Sequence, residues 1–271
     1  MGIMEPARSG GCVVSRDKPV LEFAAAAKVI GGALPVRQDF RDKELHVWGC
    51  QLEGDAETVA AARRWLDDGE RQRADRLIRP EEQRRFILAH ACQRAILGRY
   101  AGCDPAEIVL QPGFHGKPEF LNDGGIRFNL SHSHGHLLVA VARDRAVGVD
   151  LEPVRDRSSD MKKLAERFFA PDEYAAIAAA APSRRAETFA RYWVAKEAFL
   201  KYQGIGLQFP LGDCQVLMAA DVDRATIAWR RDRDDAESGL VRFLRLPPGW
   251  VGAVSAQGTD WTVRFGEWPA S

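Results

Sequence analysis

The stretch that decides the architecture is AVGVDLE, Ala146 to Glu152. Val147 to Leu151 reads as an apolar strand broken by one carboxylate. Because side chains alternate across a strand, Asp150 and Glu152 project from one face about 7 Å apart while Val149 and Leu151 bury the other. Two carboxylates so placed repel unless a cation lies between them, and Mg²⁺ prefers such hard oxygen donors, few from protein and the rest from water or phosphate. A solvated polar face on a half-exposed strand is the plainer account of the same spacing.

Upstream of this strand, Ile126 to Leu130 and Leu137 to Ala142 read as strands separated by a turn in Ser131 to Gly135. Further back, Glu44 to Leu52 alternates as a first strand, and Glu57 to Asp67 and Ala74 to Tyr100 carry helical periodicity, the latter broken near Pro80. Downstream come helices over Met161 to Phe168, Pro171 to Ala179 and Ser183 to Gln203. Strands follow at Asp213 to Met218, Thr226 to Trp229, Gly239 to Leu246 and Trp250 to Ala256. Helices precede strands on both sides, so the expected fold class is α+β, two halves of about 100 residues meeting near residue 146. The expected boundaries are 44–146 and 147–271, with 1–43 a loosely ordered extension rich in Gly, Pro and Ala.

The helix Ser183 to Gln203 carries Glu197 and Lys201 four residues apart, on one face. A surface ion pair is the ordinary fate of that spacing. Here, however, Phe189, Ala190, Trp193, Glu197 and Leu200 form one stripe at 100° per residue, which centres a carboxylate on an apolar face. Such a group needs a partner, and a metal shared with Asp150 and Glu152 supplies one. Gly204 and Gly206 suit the helix stop.

Asn129 to Ser133 (NLSHS) ends a strand in short polar groups able to donate to phosphate oxygens, Ser131 and His132 among them; a capped turn is the alternative. His132, His134 and His136 would face one way on a strand and suit Zn²⁺, but the turn at Ser133 to Gly135 scatters them. Gly116-Lys117-Pro118 offers a lysine beside a rigid neighbour. Arg71 to Arg85 holds six arginines, of which Arg73, Arg76 and Arg79 recur at three-residue spacing as a candidate phosphate site or a salt-bridged helix surface.

Composition narrows the function classes. Hydrophobic residues at 46% and charged residues at 28% describe a folded globular chain, neither disordered nor collagen-like. Lys plus Arg and Asp plus Glu are each 38, so no global field recruits nucleic acid or an anionic membrane. Cys12, Cys50, Cys92, Cys103 and Cys214 are widely spaced without a C-x-x-C pair, as expected of reduced thiols in a cytoplasm. No apolar run is long enough to span a bilayer, and Val20 to Val36 is interrupted by Glu22 and Lys28, so neither a membrane anchor nor a signal peptide is expected.

Taken in order, GKP at 116–118, FNLSHS at 128–133, GVDLE at 148–152, RFF-x-x-x-E-Y at 167–174 and W-x-x-KEAFLKYQGIGL at 193–207 resemble the Sfp-type 4′-phosphopantetheinyl transferases. The resemblance runs from about Glu44 to Trp268. It implies two similar halves about a pseudo-twofold axis with coenzyme A between them, and transfer of the phosphopantetheine arm to a serine of an acyl or peptidyl carrier protein. It further implies an enzyme of the holo-[acyl-carrier-protein] synthase type acting as a monomer. Carried over residue by residue, it makes Asp150, Glu152 and Glu197 ligands of Mg²⁺, with Mn²⁺ an acceptable substitute, and Glu197 and Lys201 the catalytic pair. Ser131 and His132 would contact phosphates, Lys117 and Pro118 would line the nucleotide end, and a terminal phosphate would be bound by a basic residue in the region Arg73 to Arg85, with Arg73 and Arg79 among the candidates. Two rivals use the same residues differently: a metal-dependent phosphodiesterase or nuclease, and a coenzyme A-binding module without activity.

Overall fold

A computed structural model describes residues 19–31, 38–113, 118–121, 125–155, 158–205, 211–221, 223–232 and 235–268. Two five-stranded sheets lie face to face, each covered on its outer side by one long helix.

The first sheet is built from β1 (Phe23–Ala25), β2 (Glu44–Gln51), β5 (Ile126–Ser133), β6 (His136–Arg143) and β12 (Thr262–Phe265). Its order is β1-β2-β6-β5, with β12 also on β2. The second runs β7-β11-β10-β9-β8, from β7 (Val147–Pro153), β8 (Cys214–Met218), β9 (Arg224–Asp232), β10 (Asp235–Phe243) and β11 (Trp250–Ala256). A small pair, β3 (Leu110–Pro112) with β4 (Pro118–Phe120), stands apart. The helices are α1 (Ala26–Gly31), α2 (Ala56–Arg63), α3 (Asp68–Asp75) and α4 (Pro80–Ala101) in the first half, then α5 (Ser158–Phe168), α6 (Pro171–Ala179) and α7 (Pro182–Gln203).

The halves repeat one device. Both α4 and α7 have 22 residues, open on a proline at the first position and stop at a left-handed glycine, Gly102 and Gly204. Proline lacks only an N–H that a helix start leaves unpaired anyway, and glycine enters the left-handed region without a Cβ clash. Pro80 therefore starts a helix rather than breaking one.

Alternation sorts the core into layers. Phe128, Val139, Val141 and Trp48 face α4; Leu138, Ala140, Val47 and Leu45 face Val149, Leu151 and Val254 of the other sheet. Val251, Ala253 and Phe243 turn outward to Val194, Ala198 and Phe199 of α7.

Two expected boundaries are corrected. Residues 21–31 are not loose: Leu21 is buried between the sheets, β1 pairs in parallel with β2, and Ala26, Val29 and Ile30 of α1 join the core under α4. Residues 1–18 and 32–37 of the expected extension lie outside the described residues. At the other end, β12 pairs in parallel with β2, from Thr262 opposite Glu44 to Phe265 opposite Val47, so 147–271 is not one half. Strands of three and four residues carry too few alternations to stand out in a sequence.

Candidate functional site

The edges β5 and β7 meet where the two sheets adjoin. Successive residues of β5 alternate: Asn129 and Ser131 point inward to β7, Leu130 and His132 outward toward α4. The Asn129 Oδ1 accepts the Val149 amide at 2.9 Å, and Ser131 Oγ donates to Asp150 Oδ1 at 2.8 Å. On the outer face of β7, a Cβ on Gly148 would press into the Ala198 carbonyl oxygen and the Tyr202 amide. Glycine at this position lets α7 lie directly on the strand, which sets Glu197 and Lys201 over Asp150.

Lys201 Nζ donates to Asp150 Oδ1 at 2.7 Å and to the Val149 carbonyl at 3.3 Å. One carboxylate oxygen thus takes both the serine and the ammonium. The other, Oδ2, is buried without a hydrogen-bond partner among the described residues, and so is Oε1 of Glu197. Asp150 is 4% exposed and Glu197 7%, so water does not serve them. Burial first, then the Asp150 charge, pushes Glu197 up to about 7, with Glu152 adding and Lys201 opposing. A carboxyl so placed exchanges a proton near neutral pH.

The expected three-carboxylate cage does not close. Among the described residues, no three His, Cys, Asp or Glu side chains converge tightly enough to hold an ion by themselves. Glu152 shares the strand face of Asp150, but Ser133 Oγ lies 3.5 Å from its Oε2 and it borders a small apolar groove formed with Leu164, Phe189 and Trp193. The donor set still fits a magnesium-type cation. Asp150 and Glu197 each hold a hard oxygen in reserve, and such an ion draws one or two carboxylates from protein and completes its shell with phosphate and water.

On the outward side of β5 opens a cavity of about 680 Å³ lined by Arg73, Arg85, Phe86, His90, Gln93 and His132. The His132 ring is held below its ordinary pKa by desolvation and then by the Lys201 ammonium, which favours the neutral form. His134 and Gly135, with φ of 45° and 80°, make the tight turn between β5 and β6. The turn separates the three histidines, and His136 instead packs at a tilt against Trp250, 4.3 Å between centroids.

The remaining sequence expectations are distributed unevenly. Arg73 reaches the cavity, over the Phe86 ring. Arg79 does not line it: it precedes α4 with 79% of its side chain exposed and pairs with Glu82 at 3.0 Å. Pro118 pairs with Pro112 in the small hairpin, and Lys117 lies outside the described residues. Arg85, at the end of the arginine-rich stretch, also lines the cavity, whereas sequence reasoning passed over His90 and Gln93. A signal was present, since Glu82, Phe86, Ala89, His90 and Gln93 fall on one helical stripe and all line the cavity.

Residues 146–243 match the sequence profile described as ACPS, 4′-phosphopantetheinyl transferase superfamily. The chain is 36% identical over 167 residues to 4′-phosphopantetheinyl transferase HetI of Nostoc sp., covering 60% of this chain and 70% of HetI. It is 28% identical over 197 residues to 4′-phosphopantetheinyl transferase Sfp of Bacillus subtilis, covering 72% of this chain and 84% of Sfp. A putative 4′-phosphopantetheinyl transferase of Synechocystis sp., slr0495, is 31% identical over 163 residues, 59% of this chain and 65% of that protein.

Proposed function

The chain belongs to the 4′-phosphopantetheinyl transferase superfamily, and from that premise we propose that it moves the phosphopantetheine arm of coenzyme A onto a serine hydroxyl of an acyl or peptidyl carrier protein. Adenosine 3′,5′-bisphosphate leaves. The observation that carries this reading is the pair of unpartnered buried carboxylate oxygens on Asp150 and Glu197, set against Lys201 at the edge where the two sheets meet.

A divalent cation, Mg²⁺ or Mn²⁺, held by Asp150 and Glu197 with Glu152 within reach, would neutralise the pyrophosphate of coenzyme A. The chain's own side chains do the rest. Arg73 and His132 hold the nucleotide end from the outward cavity, with Arg85 and His90 as further donors. Ser131 fixes Asp150 through Oδ1, leaving Oδ2 without a partner among the described residues. Glu197, titrating at about 7, takes the proton from the acceptor serine as that oxygen attacks phosphorus. Lys201 neutralises the charge that grows on the leaving bisphosphate, or delivers a proton to it.

A reduced, cytoplasmic setting and a monomer complete the proposal. Cys50, Cys92, Cys103 and Cys214 are free thiols, and one chain supplies both walls of the site. Among the described residues no helix is long and apolar enough to cross a membrane.

The decisive experiment incubates the protein with coenzyme A, Mg²⁺ and an apo carrier protein and weighs the carrier. A gain of one phosphopantetheine is expected. Cleaved coenzyme A beside unmodified carrier would replace transfer with hydrolysis, and unchanged coenzyme A would leave only a binding module.

A further inference from the structure

On its helical side the outward cavity is walled by His90, and behind that ring stands Glu70. Glu70 Oε1 accepts His90 Nδ1 at 2.8 Å. Glu70 Oε2 accepts Arg94 Nε at 2.8 Å and the Asp67 amide at 3.0 Å. With both oxygens engaged and the side chain 12% exposed, the carboxylate is fixed in place.

The two oxygens do different things. Arg94, itself 0% exposed, also reaches Asp67 Oδ2 at 2.8 Å and the Ile108 carbonyl at 2.7 Å. Oε2 therefore belongs to a network that closes α3 and Ile108 onto α4. Oε1 holds a ring that lines the cavity with 26% of its side chain exposed. Closing the two helices does not require that ring.

The bond also fixes which nitrogen carries the proton. Burial pushes the Glu70 carboxyl up, but the His90 hydrogen bond and the charges of His90 and Arg94 outweigh it and hold the group below the ordinary carboxylate range. An ionised carboxylate accepts and does not donate, so Nδ1 is protonated and Nε2 is left to meet a ligand. The Phe86 ring, 4.1 Å away between centroids, packs on the imidazole.

The surroundings select the ligand chemistry. Arg73, Arg85 and His132 line the same cavity, with Arg73 over the Phe86 ring and Arg85 ion-paired to Glu81. Glu82, the one acid in this lining among the described residues, is taken by Arg79 at 3.0 Å. A phosphate monoester loses its second proton near pH ~6, so a monoester and an imidazole share one proton between them whichever holds it. A pyrophosphate bridge has no such proton to share.

We propose that Glu70 is a positioning residue for the coenzyme: it fixes the tautomer and aim of His90, whose Nε2 binds the terminal phosphate monoester of coenzyme A beside Arg73. This rests on the reading of the cavity as the nucleotide end of the transferase site.

The test is calorimetric titration of the full chain with coenzyme A and with dephospho-coenzyme A, which lacks the terminal phosphate, beside steady-state transfer to a carrier. His90→Ala does not touch the Arg94 network. It should weaken coenzyme A about tenfold or more, the loss of one charged hydrogen bond, and leave dephospho-coenzyme A within about twofold of wild type. Glu70→Gln should show the same selectivity at about threefold, since a neutral hydrogen bond is worth about half a charged one, raising KM while kcat stays. Its amide can turn an N–H to Nδ1, and the proton then moves to Nε2, a change read in the imidazole nitrogen NMR spectrum of the folded variant. The double variant should be no weaker than His90→Ala, because Glu70 acts through that ring. Equal losses for the two ligands, additive losses, or unchanged affinity in folded His90→Ala would overturn the assignment. Wild-type chain that modifies the carrier yet binds both ligands alike overturns this inference alone; wild-type chain that binds neither overturns the transferase reading with it.

Discussion

Lys196 and Glu197 are neighbours on α7 and belong to two buried charge clusters of opposite character. Lys196 and Glu173 are each 1% exposed and pair at 2.6 Å. The ammonium also donates to the carbonyls of Phe168 at 3.2 Å and Leu211 at 2.9 Å, while Glu173 accepts the amides of Ala170 and Val216. Every polar side-chain atom there has a partner. The Asp150, Ser131, Lys201 and Glu197 cluster, one residue along the same helix, leaves two carboxylate oxygens unspent. A completed network can only hold elements together, here α6, α7 and β8; an incomplete one is held in readiness for something that arrives. Burial and charge alone do not tell the two apart, whereas an inventory of unpaired atoms does.

The largest effect that sharpens this contrast is on stability. Glu173→Ala strands a buried ammonium and should cost about 3–5 kcal/mol, read by urea unfolding, while the fraction still folded keeps its transfer rate. If that fraction is inactive, the first cluster is not merely structural.

Glu197→Gln inverts the pattern. Turnover should fall by about 1,000-fold, the upper range for loss of one aimed electrostatic group, with the urea midpoint close to wild type because a repelling neighbour of Asp150 has been removed. Comparable turnover in the two proteins would erase the distinction between the clusters.

Third comes pH. Glu197 stands near 7 in the folded protein against an ordinary 4.5, through burial and then the Asp150 charge. A carboxyl raised on folding holds its proton more tightly folded than unfolded, so its contribution is complete below about 4.5 and fades as pH climbs through about 7. Metal-free protein should therefore lose melting temperature across that window, and Glu197→Gln should flatten the profile. A profile that is as steep in the variant would assign the slope to another group.

Smallest is Lys201→Arg. Calorimetry should find coenzyme A binding intact, because the charge remains, with turnover down by about 100-fold, the low end of what a positioned proton donor supplies. Wild-type turnover would show that charge alone suffices.

Much of this was legible in the chain itself. Strands of seven and eight residues, alternating in β5 and continuously apolar in β6 and most of β7, and helices bracketed by Pro and Gly, declare themselves through pattern and punctuation. Glu197 announced itself by sitting on an apolar stripe. What stayed hidden depends on neighbours distant in sequence. Ser131 reads as a phosphate donor until β5 is laid beside β7, where its hydroxyl is found on Asp150. Asn129 looks like a turn residue, yet it ties the two sheets together. Arg73, Arg76 and Arg79 share a face only if one helix runs through them, and α3 ends at Asp75, which leaves Arg79 turned outward.

The placement of β12 carries a consequence for how the molecule is made. A ribosome delivers β2 early, and the strand that closes one of its edges only after the entire second half has emerged. Contacts of such long sequence separation form slowly. Until Thr262–Phe265 docks, β2 presents part of an unpaired edge, and Trp48 lacks the ring of Trp268 that packs on it. The first sheet therefore completes its β2 edge only after the second half has been made, which makes the β2–β12 pairing a late step of folding.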